Sequence, residues 1–267
     1  MNYLYRIFFV ILATLLSVSC TEKQELIVPE EEAPTISFKV NEVQFTMVKV
    51  DGGTFRMGND GNLFDYFEDE TPTHNVSLST FYIGKTEVTQ ALWNAVMGNN
   101  PSEYVGDGSS NLPVENVSWD DCQSFIENLN SITGSVFSLP TEAQWEYAAR
   151  GGVKNSDYLY SGGDNLQLVG WFANNTTSPC QVSSRDINEL GLYDMSGNVA
   201  EWCSDWYGLY SGESQENPTG QFFGTKRVVR GGSWSSPEPD CRNTARSSQA
   251  PEYKSSAIGL RLAMVLD

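Results

Sequence analysis

The residues able to do chemistry are few and sit mostly in the second half of the sequence. Between 191 and 207 the chain reads GLYDMSGNVAEWCSDWY. Asp194 and Glu201 offer hard carboxylate oxygens on either side of a glycine turn, and the carbonyls of Gly197 and Val199 can point inward between them. That mixture is the one calcium prefers, so a structural calcium ion is expected here. An acidic turn satisfied by water or its own backbone is the plainer alternative. His74 is the single histidine. It follows DETPT and reads as an ordinary loop residue, and no strand-turn-helix serine elbow accompanies it, so a Ser-His-Asp hydrolase is not supported. Arg242, Arg246 and Arg261 can pin loops by salt bridges to neighbouring acids or recognise an anion.

Other function classes fall to composition. Sixteen basic residues against thirty-four acidic ones give a formal charge of -18, which repels phosphate backbones and anionic membranes, so nucleic acid is excluded as a partner. A chain of 267 residues with 40% hydrophobic content can bury a core of its own. At the N-terminus MNYLYRIFFVILATLLSVSC combines Arg6, an apolar run and small residues before Cys20, the layout of a secretory signal over residues 1–20. The apolar run falls short of the roughly 20 residues a membrane span needs. Ending on cysteine, it resembles a bacterial lipoprotein signal, which implies lipidation at Cys20. The expected location is therefore the bacterial cell envelope, periplasmic or outer-surface, with membrane contact only through that N-terminal lipid anchor. In an oxidising compartment Cys122, Cys180, Cys203 and Cys241 are read first as disulfide formers, with three pairings open.

These groups need elements to hold them. Residues 21–44 are acidic and proline-bearing, as in a flexible linker, and the folded domain is expected over 45–267. FTMVKVDGGTFRMG reads as two strands joined by Asp51-Gly52-Gly53 in a hairpin. Thr89 caps a helix ending at Gly98. Ser118 and Asp121 form a capping box before a stripe of Cys122, Phe125, Ile126 and Leu129, and Thr141 with Gln144 caps EAQWEYAAR, which Gly151 ends. Beyond Gly151 short apolar pieces alternate with Gly, Asn and Ser, so the fold class is α+β with much irregular structure. The tryptophans Trp119, Trp145, Trp171, Trp202, Trp206 and Trp234 read as packing rather than as a carbohydrate platform.

Seven segments taken in order, MVKVDGGTFRMG, YIGKTEVTQALW, LPVENVSWDD, FSLPTEAQWEYAARGG, GLYDMSGNVAEWCSDWY, RVVRGGSW and IGLRL, resemble the formylglycine-generating enzyme or sulfatase-modifying factor domain. The resemblance implies a variant of the C-type-lectin-like fold, a small twisted sheet with flanking helices. It also implies two copper-binding cysteines five residues apart after the RGGSW strand, of which this chain has only the second: Ser236 stands where the first belongs, and Cys241 matches the other. Copper(I) wants two soft thiolates, and a serine hydroxyl cannot replace one, so copper is not expected. The family's iron-dependent branch needs several histidines and is excluded by the same scarcity. Family pattern further implies a bond between Cys203 and Cys241, against two separate buried thiols as the alternative. It also matches Asp194, Gly197, Val199 and Glu201 to a calcium site residue by residue, whereas the loop after Ala173-Asn174-Asn175 is too short for a second ion.

The C-terminal stretch is similar to the variable ligand-binding proteins of diversity-generating retroelements, in which polar positions between fixed ones carry recognition. Here these are Ser235, Ser236, Glu238, Asp240, Asn243, Thr244, Ser247, Ser248, Glu252 and Tyr253. The expected function is a tethered, non-catalytic module binding a peptide, protein or glycan through this surface. The alternative is an enzyme of the sulfatase-maturation class acting on a protein cysteine or using altered chemistry in the same groove.

Overall fold

The computed structural model describes residues 33–59 and 67–266. The signal segment with Cys20 lies outside the described residues. In chain order the strands are β1 (Thr35–Val40), β2 (Val43–Val50), β3 (Gly53–Met57), β4 (His74–Leu78), β5 (Phe81–Gly84) and β6 (Phe137–Ser138), followed by β7 (Ala200–Trp206), β8 (Gln215–Glu216), β9 (Arg227–Arg230), β10 (Arg246–Gln249), β11 (Ile258–Gly259) and β12 (Ala263–Met264). The helices are α1 (Gln90–Met97), α2 (Trp119–Thr133), α3 (Glu142–Ala149) and the single turn α4 (Leu166–Val169). The strands form three sheets, in the orders β1-β2-β5-β12-β6, β10-β9-β7-β11 and β3-β4-β8.

Local chemistry sets the three longer helices. Thr89 Oγ1 accepts from the Leu92 amide and Gly98 closes α1 with φ 71°. Ser118 and Asp121 cap α2 reciprocally, each side chain accepting the other's amide at 3.1 and 2.9 Å, and Thr141 with Gln144 repeats the arrangement on α3. The α2 stripe of Cys122, Phe125, Ile126 and Leu129 is buried as its spacing requires, with Trp93 of α1 stacked on Phe125 at 4.8 Å. Helix α3 differs: seven of its eight residues are buried, so it lies inside the protein rather than on it.

Three expectations are corrected. The domain starts before residue 45, because Thr35–Val40 forms β1 and pairs along its whole length with β2 across the tight Asn41-Glu42 turn, where Asn41 adopts φ 51°. The TISFKV alternation was masked by the acids and prolines ahead of it. The Asp51-Gly52-Gly53 turn does not make a hairpin either. Strand β2 pairs with β1 and β5, while β3 leaves for another sheet to pair with β4. Gly52 is needed for contact with that neighbour, since a Cβ there would lie 2.6 Å from the Leu78 carbonyl oxygen. His74 is not a loop residue: it opens β4, is 5% exposed, and packs its ring against Tyr210 at 4.8 Å.

The expected Cys203–Cys241 disulfide is also overturned: Cys122, Cys180, Cys203 and Cys241 are all free thiols. The two cysteines pack in different apolar clusters. Ala200 and Trp202 face one apolar cluster with α1 and α2, while Cys203 faces another with Trp145 and Tyr147 of α3. Cys241 packs in a third cluster, among Tyr160, Leu166, Val169 and Phe172.

Charge is buried on the α3 side of β7 and β9. Arg246 forks onto both oxygens of Glu142 at 2.6 and 2.8 Å, and Arg242 onto both oxygens of Glu70 at 2.8 and 2.6 Å. Arg230 reaches Glu146 and also donates to the carbonyls of Asn243, Thr244 and Ala245. Arg261 forks onto Glu201 at 3.0 and 2.7 Å. Arginine as a pin for loops, rather than a reader of anions, is therefore the role the structure gives Arg242, Arg246 and Arg261. Burial alone would raise the Glu142 carboxyl, but the charges of Arg246 and Arg230 outweigh it and hold the group below the ordinary carboxylate range. Beside it, Asp205 is pushed up to about 7 by burial and then by the Glu142 charge.

Three measurements test this framework. Alkylation without reductant should label Cys180 in the native protein and all four described cysteines after unfolding; a linked Cys203–Cys241 peptide in the map would refute the separation. Glu142→Gln strips counter-charge from two buried arginines and should cost about 3–5 kcal/mol in urea unfolding, whereas removing the exposed Lys39–Glu42 pair should leave the midpoint unchanged. Because the Asp205 pKa is raised in the fold, its stabilising contribution is complete below about pH 4, its unfolded range, and is lost as pH rises through about 7. The melting temperature of Asp205→Asn should therefore fall less than wild type between pH 5 and 8, and parallel profiles would contradict the assignment.

Candidate functional site

Strand β9 ends at Arg230, and Gly231 and Gly232 turn the chain with φ of 91° and 67°. No side chain fits at the second of these, where a Cβ would meet the Cys241 sulfur at 2.7 Å and the Asp240 carbonyl at 2.9 Å. A serine turn follows. The Ser233 amide donates to Ser236 Oγ at 3.0 Å, and Ser233 Oγ lies 3.1 Å from both the Ser235 and Ser236 hydroxyls. Trp234 anchors the far side, its indole donating to the Ser256 carbonyl and its ring meeting Tyr104 edge-on at 5.4 Å. Pro237 then starts a 3-10 turn over Glu238–Cys241 that carries the cysteine back into the protein.

A cavity of about 520 Å³ opens against this turn. Of the ten positions expected to bind a ligand, Ser235, Ser236, Asp240, Ser247 and Tyr253 line it. Others point elsewhere. Asn243 and Thr244 are buried at 2% and 5% exposure; Asn243 donates to the Tyr158 carbonyl, and Thr244 faces a separate cavity beside Tyr147. Glu238 accepts from the Tyr160 hydroxyl, Ser248 alternates away from Ser247 along β10, and Glu252 stands outside the lining. Sequence reasoning missed Phe67 and Asp69, which close the cavity from a segment far away in the chain. Asp69 is fixed there by a 2.6 Å hydrogen bond from the Tyr207 hydroxyl. No local signal marks it, apart from its place in a short acidic run.

The charged lining of the cavity is two acids and one arginine. Asp69 and Asp240 line it, and burial raises the Asp240 carboxyl. Its cationic lining residue, Arg246, is already forked onto Glu142 and donates to the Asp69 carbonyl. Copper does not fit these residues. The Ser236 hydroxyl is tied into the serine turn, and Cys241 is fully buried in an apolar cluster, its thiol pushed up to about 12 by burial and then by the charges of Asp240 and Glu238. A hard hydroxyl beside a protonated thiol gives copper(I) no pair of soft ligands.

The calcium positions divide. Asp194 adopts φ 58° and accepts the Ser183 amide at 2.7 Å on Oδ2, while its buried Oδ1 has no hydrogen-bond partner, as suits a hard cation. Gly197 packs so tightly on Trp171 that a Cβ would lie 2.1 Å from its carbonyl oxygen, and Val199 is fully buried. Glu201 has no oxygen to spare: Arg261 takes both and the Trp145 indole adds a 2.7 Å bond. Among the described residues no group of three or more His, Cys, Asp and Glu side chains is placed to hold a metal. The tryptophans serve packing as expected. Trp145 and Trp202 are fully buried, and the Arg227 guanidinium sits between Trp119 and Trp206 at 3.8 and 3.5 Å.

Comparison with known proteins converges on one family. The model of the sulfatase-modifying factor enzyme 1-like domain matches residues 34–266. The chaperone protein LppX of Paenibacillus barcinonensis is 34% identical over 264 residues, covering 80% of this chain and 85% of that protein. The formylglycine-generating enzyme of Streptomyces coelicolor is 30% identical over 284 residues, covering 81% and 88%. Among solved structures, Treponema denticola variable protein 1 superposes with a TM-score of 0.78 at 33% identity, covering 86% of this chain and 98% of that one. With the motifs in order, the α+β fold in place and the match spanning nearly all described residues, this chain belongs to the sulfatase-modifying factor family and has the fold of the formylglycine-generating enzymes.

Proposed function

We propose that the protein is a holding module: the cavity beside the serine turn binds a segment of a peptide, protein or glycan and performs no copper-dependent oxidation. One observation carries the proposal. At the position where the family's chemistry demands sulfur, the Ser236 hydroxyl closes a turn, and the sulfur that remains, Cys241, is turned into apolar packing. What is left facing outward is a set of hydroxyls and carboxylates that make hydrogen bonds without breaking bonds. Two acids with no free cation among the lining residues favour a ligand carrying positive charge, such as a Lys- or Arg-bearing polypeptide segment. The name of the chaperone relative supports a polypeptide ligand. An N-terminal lipid tether at Cys20 would present the module at the bacterial cell envelope; among the described residues no helix is long and apolar enough to cross a membrane.

The test pairs binding with turnover. Arrays of cationic, neutral and anionic peptides, together with glycans, are probed with wild type and with a Ser236/Asp240/Tyr253 triple alanine variant of unchanged circular dichroism. Cationic peptides should bind wild type best, weaken with salt, and lose about tenfold or more in the variant, the equivalent of about 1.4 kcal/mol. Equal binding by the two proteins refutes the surface. In parallel, wild type incubated with copper and a Cys-x-Pro-x-Arg peptide should leave the cysteine intact; aldehyde formation would establish the maturation enzyme instead. Ser236→Cys should gain copper(I) binding over wild type in a chelator competition.

A further inference from the structure

Between β8 and β9 the chain reads NPTGQFFGTKR from Asn217 to Arg227. Phe222 is 96% exposed and Phe223 82%, and neither joins an apolar cluster of the described residues. Leu209, 74% exposed, accompanies them, its carbonyl accepting from Gln221 Nε2 at 3.4 Å. Together the three present apolar surface on the order of 400 Å², the size at which the largest patch of a monomer is often a contact site.

The exposure is built in. Gln221 forms a bridge to Trp206, and the Tyr207 amide donates to the Lys226 carbonyl at 2.9 Å, so residues 222–225 are a short loop clamped at both ends. The Arg227 guanidinium lies 3.5 Å from the Trp206 ring, and a Cβ on Gly224 would lie 3.0 Å from Trp206 Cβ. The base of the loop is therefore packed, and the clamps hold the two phenylalanines off the body of the protein.

Charge selects what covers such a tip. No residue from Asn217 to Thr225 is charged, in a chain of formal charge -18. The acids upstream, Glu213 and Glu216, are separated from the tip by Asn217, whose amide donates to the Ser77 carbonyl and whose Oδ1 accepts the Ser79 amide. The first charges downstream are cationic, the exposed Lys226 and then Arg227. Aromatic rings ahead of a cationic base match the layering of a bilayer surface, with acyl chains beneath phosphates. An acyl layer also accepts a convex apolar tip without a shaped pocket to receive it.

We propose that the Phe222-Phe223 tip inserts into the interfacial layer of a phospholipid bilayer, with Lys226 at the depth of the phosphates. This is a second membrane contact beside the proposed tether at Cys20, on which it rests only for nearness. Two rings alone hold a protein to a bilayer weakly. Beside a lipid anchor the same contact is effectively intramolecular, and it fixes which face of the domain meets the membrane.

The experiment places full-length protein in phosphatidylcholine vesicles, with Phe222→Trp as depth reporter read against the tryptophan emission of wild type. Brominated acyl chains should quench the added emission, and adding Phe223→Ser should reduce that quenching about threefold or more. Ile132→Trp, at a 53% exposed position on α2, should escape quenching. No quenching beyond wild type, or equal quenching at Ile132→Trp, overturns the proposal. So does a blue shift of the Phe222→Trp emission that grows with protein concentration in the absence of lipid, which would assign the tip to a second copy of this chain. Intact mass scores lipidation of Cys20 separately. A quenched tip on an unlipidated chain keeps this contact and removes the tether, whereas an unquenched tip on a lipidated chain does the reverse.

Discussion

Buried pairing of arginine with glutamate is the constraint on which the rest of this structure depends. A fold with two-residue strands and long irregular connections has few ladder hydrogen bonds to fix its loops. Here guanidinium groups do that work. Arg230, Arg242 and Arg261 are at most 1% exposed and Arg246 is 8% exposed, and each meets a carboxylate drawn from another part of the chain. Such pairs add little net stability over an apolar core of equal volume, yet removing one partner strands a charge in the interior. Their contribution is to geometry: they determine which segments meet, and that includes the walls of the cavity.

The same constraint leaves the scaffold independent of the residues at positions 236 and 241. Nothing in the arginine network involves Ser236 or Cys241. A serine at 236 is absorbed by the neighbouring serines as one more turn hydroxyl, and Cys241 settles among Tyr160, Leu166, Val169 and Phe172 as a small hydrophobe. The fold is thus kept by interactions that do not depend on Ser236 or Cys241, which is why family membership carries architecture more safely than activity.

Much of the architecture was legible because its signals are local. The caps of α1, α2 and α3 are written within four residues each, and the structure has them where the sequence does. Signals that require a partner were not legible. The Asp51-Gly52-Gly53 turn announces a change of direction but not which strand pairs with which, and β2 and β3 part company there. Strand β1 lay hidden because its alternation is short and its flanks resemble a linker. Cys203 and Cys241 look paired as a pattern and are held apart in two separate apolar clusters. At the cavity, the 230–253 stretch declared itself, yet Asp69 did not, and the ion pair next to it joins residues 172 positions apart. Within that stretch, burial separated Asn243 and Thr244 from the serines, a distinction that polarity alone does not make.

Arg230 holds the loop after Cys241 through the carbonyl oxygens of residues 243, 244 and 245. A main-chain carbonyl is the same whatever side chain its residue carries, so this grip is blind to sequence. The backbone path beneath Ser247 and Tyr253 can therefore stay fixed while the exposed side chains along it are exchanged. The path of the loop is held by main-chain atoms, so exchanging the side chains it exposes leaves the fold undisturbed.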